Sequence, residues 1–180
     1  MIQMSHILRE ASSQEIEVLL DKIKQKQFTF FNKGDNGRIY EIDGTDYLFK
    51  ITTELDEYRC AAVIVNNYSK FSTFIPVYYV DGKRMYIMSK AADLPGSQRQ
   101  QLDQFYSAYK QWQQSTRGEQ SVFDFAKTEV VNNTDVKLIN FINALEADVR
   151  ETAIPEFDLD IDFRPDNIML WNGNLVMIDW

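Results

Sequence analysis

The chain carries one cysteine, Cys60, and one histidine, His6, in 180 residues. A lone cysteine cannot close an internal disulfide, and with a single histidine it cannot assemble a Cys/His zinc framework. A reduced, intracellular compartment is expected. Long apolar runs are missing too: no uncharged stretch approaches the roughly 20 residues that span a bilayer, and no apolar core follows a basic start at the N-terminus. The expectation is a soluble, cytoplasmic protein without a membrane partner. Basic residues are in short supply, with 19 Lys and Arg against 27 Asp and Glu and a formal charge of −8. That balance disfavours a surface built for a phosphate backbone, so no nucleic-acid partner is expected. There are no internal repeats and no long linker. What is present is a hydrophobic share of 44%, enough for one compact domain or two small lobes sharing a cleft.

Periodicity divides the chain by texture. Ser12 and Glu15 form a capping-box signature ahead of Ile16, Leu19, Leu20 and Ile23, the i, i+3, i+4, i+7 repeat of an amphipathic helix. Short β-type runs follow at Phe28 to Phe31, Arg38 to Ile42, Tyr47 to Ile51, Ile75 to Val80 and Arg84 to Met88. Asp43-Gly44 and Asp81-Gly82 supply turns between them. One helix interrupts the strands at about Glu54 to Tyr68, behind a Thr53 cap, where Leu55, Tyr58, Ala62 and Val65 keep helical spacing. Beyond Ala91, Pro95-Gly96 opens a helical stretch to Gln114, and Asp135 to Arg150 carries a second. Ser115 to Asn133 has no assignable pattern. The last part offers two apolar runs, Ile168 to Leu170 and Leu175 to Ile178, joined through Asn172-Gly173.

If Asn172-Gly173 forms a two-residue hairpin turn, Trp171 pairs with Asn174, and Asn167 falls opposite Ile178, beside Asp179. In a regular ladder Asn167 and Asp179 face opposite sides, so a shared ligand requires the chain to leave strand geometry at one of them. Asp158, Asp160, Asp162 and Asp166 crowd the same neighbourhood. Carboxylates at this density are either a solvated acidic loop or the oxygen ligands of a shared cation such as magnesium.

The run Asp162-Phe163-Arg164-Pro165-Asp166-Asn167-Ile168-Met169, then Leu175-Val176-Met177-Ile178-Asp179, resembles the catalytic loop and metal-binding strand of the protein-kinase-like superfamily. Arg164-Pro165 and the Ile-Asp-Trp ending are most similar to the aminoglycoside-phosphotransferase branch. The Asn-Ile-Met run and the small size also resemble the early protein kinases of T7-like phages. The resemblance implies that Asp162 accepts the proton of the attacking hydroxyl while Asn167 and Asp179 hold magnesium on the phosphates of ATP. Gly34-Asp35-Asn36-Gly37-Arg38-Ile39-Tyr40 matches the later part of the glycine-rich loop of that superfamily, with Asn32 where its first glycine stands. Glycine there lets the backbone approach phosphate and take positive φ; a simple hairpin turn is the other reading. Leu48-Phe49-Lys50-Ile51 places Lys50 where the resemblance implies an α/β-phosphate contact, against an edge-strand lysine with its head in water. Glu57, with Glu54 behind it, is the expected partner of Lys50. Met88 and Ala91, at the end of the last strand and in the hinge Ser89-Lys90-Ala91, would flank adenine; Ile87 and Met88 also fit a plain core.

The fold class expected is therefore α+β, a protein-kinase-like bilobal fold: residues 1–88 as an N-lobe of five antiparallel strands and one helix, residues 89–180 as a reduced, mostly helical C-lobe. The resemblance spans Phe28 to Trp180 and implies ATP and Mg2+ as cofactors. It departs at Asp160, where the superfamily has histidine, and at Trp180, where protein kinases continue into an activation segment and further helices. That departure leads to the expectation of exposed surface for a protein partner or a second copy. Three functions are carried: a minimal Ser/Thr protein kinase, of the host cytoplasm if phage-encoded; a pseudokinase that sequesters a protein; and a small-molecule phosphotransferase of aminoglycoside type.

Overall fold

A computed structural model describes residues 12–34, 36–67, 70–116, 121–128, 134–151 and 163–179. The expectations placed on Asp162, on Asp158 and Asp160, and on Trp180 lie outside the described residues. Contacts divide the chain into two compact units, Met1–Ser69 with Pro76–Lys90 and Lys70–Ile75 with Ala91–Trp180.

The first unit is built on a five-stranded antiparallel sheet of order β1-β2-β3-β5-β4. Its strands are β1 (Phe28–Gly34), β2 (Gly37–Ile42), β3 (Tyr47–Thr52), β4 (Val77–Val80) and β5 (Met85–Ser89). Helix α1 (Ser13–Lys24) precedes them and α2 (Leu55–Asn67) joins β3 to β4, so the expected α+β order holds. Alternation sorts the side chains onto two faces. Tyr40, Ile42, Tyr47, Phe49 and Ile87 lie on the face that α1 covers with Leu19, Leu20 and Ile23. Burying Leu19, Ile42, Phe49 and Ile87, none more than 2% exposed, contributes about 1.5–3 kcal/mol each. The opposite face carries Leu48, Lys50 and Thr52 of β3 with Tyr86 and Met88 of β5, as the register Leu48↔Met88 and Lys50↔Tyr86 requires.

Two caps differ from expectation. Ser12 accepts the Glu15 N–H at 3.1 Å, but the Glu15 carboxylate turns to the Tyr47 hydroxyl at 2.7 Å rather than back to the cap. At α2 the Thr52 hydroxyl, not that of Thr53, receives the Glu54 N–H, at 3.0 Å. The expected strand Ile75 to Val80 is cut at Pro76, which has no N–H for a ladder. β4 starts at Val77, while the Ile75 N–H bonds the Met177 carbonyl at 2.9 Å.

The second unit contains α3 (Gly96–Thr116), α4 (Val122–Ala126), α5 (Val136–Glu151) and a hairpin of β6 (Ile168–Trp171) and β7 (Asn174–Met177). α4 falls in the stretch with no pattern: Ser121 and Asp124 form a capping box, and Phe125 meets Phe105 of α3 with centroids 5.2 Å apart. The hairpin has the expected register, Trp171↔Asn174 through Ile168↔Met177. Its turn has φ 49° at Asn172 and 79° at Gly173, the positive pair a two-residue hairpin demands. Segment 73–75 lines β7, with the Met177 N–H donating to the Thr73 carbonyl at 2.7 Å, and Ala92 exchanges two 2.8 Å bonds with Leu170 of β6. Among the described residues no helix is long and apolar enough to cross a membrane.

Candidate functional site

Lys50 stands in the middle of β3, opposite Ile39 of β2 and Tyr86 of β5. Strand alternation turns it to the face on which α2 begins, and the first turn of α2 presents Glu57. Lys50 Nζ lies 2.6 Å from Glu57 Oε1, and both side chains are 2% exposed. The Tyr86 hydroxyl donates to the same oxygen, and the Thr52 hydroxyl donates to Glu57 Oε2 at 2.8 Å. A buried ion pair persists only where further hydrogen bonds supply the remaining lone pairs, and these two hydroxyls do so. Of the two glutamates considered, Glu54 is exposed and Glu57 buried. Lys50 is thus no edge-strand lysine with its head in water. Cys60, one turn further along α2, is pushed up to about 12 chiefly by burial, then by Asp56 and Glu57, so its thiol stays protonated.

Gly34 and Gly37 pair across the tip of the β1–β2 hairpin; Asp35, between them, lies outside the described residues. The expectation that these glycines serve positive φ is not met, for neither takes it. Gly37 has a different reason: a Cβ there would sit 2.3 Å from the Ile51 carbonyl oxygen and 3.0 Å from Thr52 Cα, where β2 packs on β3. A Cβ on Gly34 would meet nothing within 4 Å. The hairpin tip is tied down through the Asn36 carbonyl, which accepts the Thr53 N–H at 2.7 Å, the Thr53 hydroxyl at 3.1 Å and lies 3.0 Å from the Thr52 hydroxyl.

Met88 is 3% exposed on the face of Lys50, two pairs along the ladder. Past it, the Ser89 N–H bonds the Pro76 carbonyl at 3.1 Å and the Lys90 N–H the Asp46 carbonyl at 2.8 Å. Lys90 Nζ pairs with Glu41 at 2.7 Å. Ala91 is half-buried.

In the second unit a 3-10 turn, Pro165–Asn167, leads into β6. Asn167 is 5% exposed; its N–H bonds the Arg164 carbonyl at 3.0 Å and its carbonyl accepts the Ile178 N–H at 2.9 Å. The chain therefore leaves strand geometry at Asn167, the condition set for Asn167 and Asp179 to serve one ligand. Asp179, half-buried, follows directly on Ile178. The Asp179 carboxylate and the Asn167 amide each offer a hard oxygen donor of the kind magnesium takes beside phosphate and water. Among the described residues no group of three His, Cys, Asp or Glu side chains comes together. Asp166 pairs with Arg99 of α3, which also donates to the Pro165 carbonyl at 3.3 Å. Hydrogen bonding to Asp166 raises the Arg99 guanidinium above its ordinary value.

Sequence reasoning did not find Thr52, Tyr86 or Arg99. Thr52 was within reach of it, since a residue two beyond Lys50 on a strand shares its face. Tyr86 and Arg99 become visible only with the register and the fold.

No protein-family model matches the chain, and no curated protein does. A solved structure, the streptomycin–ATP–APH(2")-IIa ternary complex, is similar over 93% of this chain and 71% of its own, at 16% identity and a TM-score of 0.37. What each unit can do is therefore argued from its own residues, Lys50 and Glu57 in the first and Asn167 and Asp179 in the second.

Proposed function

We propose that the chain is an ATP-dependent phosphotransferase that moves the γ-phosphoryl group to a hydroxyl, with a Ser or Thr of a protein, or of the chain itself, as acceptor. The observation that carries it is the Lys50–Glu57 pair, 2.6 Å apart and buried. A lysine with its stem in a strand and its ammonium fixed by a helix carboxylate is a preset cation for phosphate oxygens. In this reading the Gly34–Gly37 hairpin covers the phosphates and the backbone from Met88 to Ala91 receives adenine. Asp162 takes the acceptor's proton as its oxygen bonds phosphorus and the bond to ADP breaks. Asn167 and Asp179 are the residues for magnesium, which supplies neutralising charge to the phosphates.

A small-molecule hydroxyl is the second reading, favoured by Arg164-Pro165 in the motif it shares with the aminoglycoside-phosphotransferase branch. The test is incubation with magnesium and γ-labelled ATP, comparing the natural chain with Asp162→Asn. Label transferred to the chain or to a generic protein substrate by the natural chain alone is the expected result. Transfer to added aminoglycosides only would move the acceptor to the second reading. A melting shift with magnesium-ATP but no transfer to either would leave a nucleotide-binding module and overturn the enzyme.

A further inference from the structure

The Lys50–Glu57 pair is held by more than its own attraction. A carboxylate with both oxygens bonded cannot rotate without losing a partner. Glu57 is in that position: Oε1 takes Lys50 Nζ at 2.6 Å and the Tyr86 hydroxyl, and Oε2 takes the Thr52 hydroxyl at 2.8 Å. The three donors come from two strands and the acceptor from a helix, so their meeting fixes α2 against β3 and β5. Thr52 is 3% exposed, Tyr86 0%, and at that depth an acceptor left short is not repaired by water.

Thr52 has a second connection. Its hydroxyl carries one hydrogen and two acceptors stand within reach, Glu57 Oε2 at 2.8 Å and the Asn36 carbonyl at 3.0 Å. The charged oxygen is the stronger acceptor, and the Asn36 carbonyl keeps the Thr53 N–H and hydroxyl besides. The Thr52 oxygen itself accepts the Glu54 N–H at 3.0 Å. One hydroxyl thus joins the tip of the glycine hairpin, the start of α2 and the ion pair.

We propose that Thr52, with Tyr86 as second support, is a positioning residue that holds Glu57, and through it the Lys50 ammonium, in the geometry that receives nucleotide phosphate. The proposal rests on the phosphotransferase reading. Neither hydroxyl touches the substrate; both act through the carboxylate.

The experiment measures magnesium-ATP affinity by calorimetry, with KM and kcat for transfer, on the natural chain and on Thr52→Val, Thr52→Ser and Tyr86→Phe. Losing a hydrogen bond to a charged group predicts affinity weaker by about tenfold in Thr52→Val and Tyr86→Phe, with KM raised more than kcat is lowered. Thr52→Ser, which keeps the hydroxyl, should stay within about twofold of the natural chain. A merely structural role would lower the melting temperature and leave the affinity of the folded protein unchanged. Unchanged affinity in Thr52→Val, or in Tyr86→Phe should the valine variant not fold, overturns the inference alone. A natural chain that binds no magnesium-ATP overturns the phosphotransferase reading and this inference with it.

Discussion

At the scale of single residues, two glycines three positions apart, at the tip of one hairpin, carry different constraints. Gly34 has open space where a Cβ would go, whereas a Cβ on Gly37 would fall 2.3 Å from the Ile51 carbonyl oxygen. That oxygen belongs to backbone, which cannot rotate aside as a side-chain tip can. Gly37→Ala is therefore expected to destabilise the chain by about 1–3 kcal/mol, the usual cost of overpacking. Gly34→Ala should leave the denaturation midpoint nearly unchanged and show its effect, in the phosphotransferase reading, on nucleotide affinity. Urea midpoints of the two variants separate these cases, and equal midpoints would sink the packing account. The sequence made both glycines legible as a pair, because the spacing of the motif is a property of the chain. It could not tell them apart, because the obstacle at Gly37 is contributed by β3, a strand brought alongside only by folding. Lys50 and Glu57 were legible for the opposite reason: a lysine inside an apolar strand and a glutamate in the next helical turn are local signals.

At the scale of elements, periodicity found α1, α2, α3, α5 and the β6–β7 hairpin, and missed what depends on distant partners. α5 is an instance. Its apolar repeat marks the helix, yet Asp148 within it looks like one more polar residue on a wet face. In the fold Asp148 is 7% exposed, and its Oδ2 accepts the Ser72 N–H at 2.8 Å, the Thr73 N–H at 2.8 Å and the Thr73 hydroxyl at 2.7 Å. The partners lie 75 and 76 residues away in sequence, beyond any window of pattern reading. Asp148→Ala would leave those donors without an acceptor. The expected loss is about 2–4 kcal/mol of unfolding free energy, read from chemical denaturation. Asp148→Asn, which keeps one oxygen in place, should lose less. An alanine variant as stable as the natural chain would mean that segment 70–75 is held by its apolar side chains, Phe71, Phe74 and Ile75, without help from the carboxylate. The same argument explains why β4 was expected to start too early: Ile75 continues the apolar run, but Pro76 ends its ladder, and the Ile75 amide serves β7 instead.

For the whole molecule, the consequence of that exchange is that neither unit is a continuous stretch of chain. The second unit takes Lys70–Ile75 from the midst of the first, and that short segment supplies both a bridge to β7 at Phe74 and the donors around Asp148. A fragment of residues 91–180 lacks them. Its Met177 N–H loses the Thr73 carbonyl and its Met177 carbonyl loses the Ile75 N–H, while Asp148 keeps its charge and loses its partners. Two backbone hydrogen bonds at about 1 kcal/mol each and the carboxylate's donors at about 2–4 kcal/mol together approach the 5–15 kcal/mol by which an ordinary domain is stable. Residues 91–180 alone are therefore expected to melt without a cooperative transition by circular dichroism. The same fragment preceded by residues 70–75 through a flexible Gly/Ser linker should regain cooperativity, because a tethered segment meets its site at millimolar effective concentration. Asp148→Ala in the linked fragment should remove most of that gain. If the unlinked fragment melted as sharply as the linked one, the helices of the second unit would hold β6 and β7 by themselves, and segment 70–75 would be a passenger on a fold already complete without it.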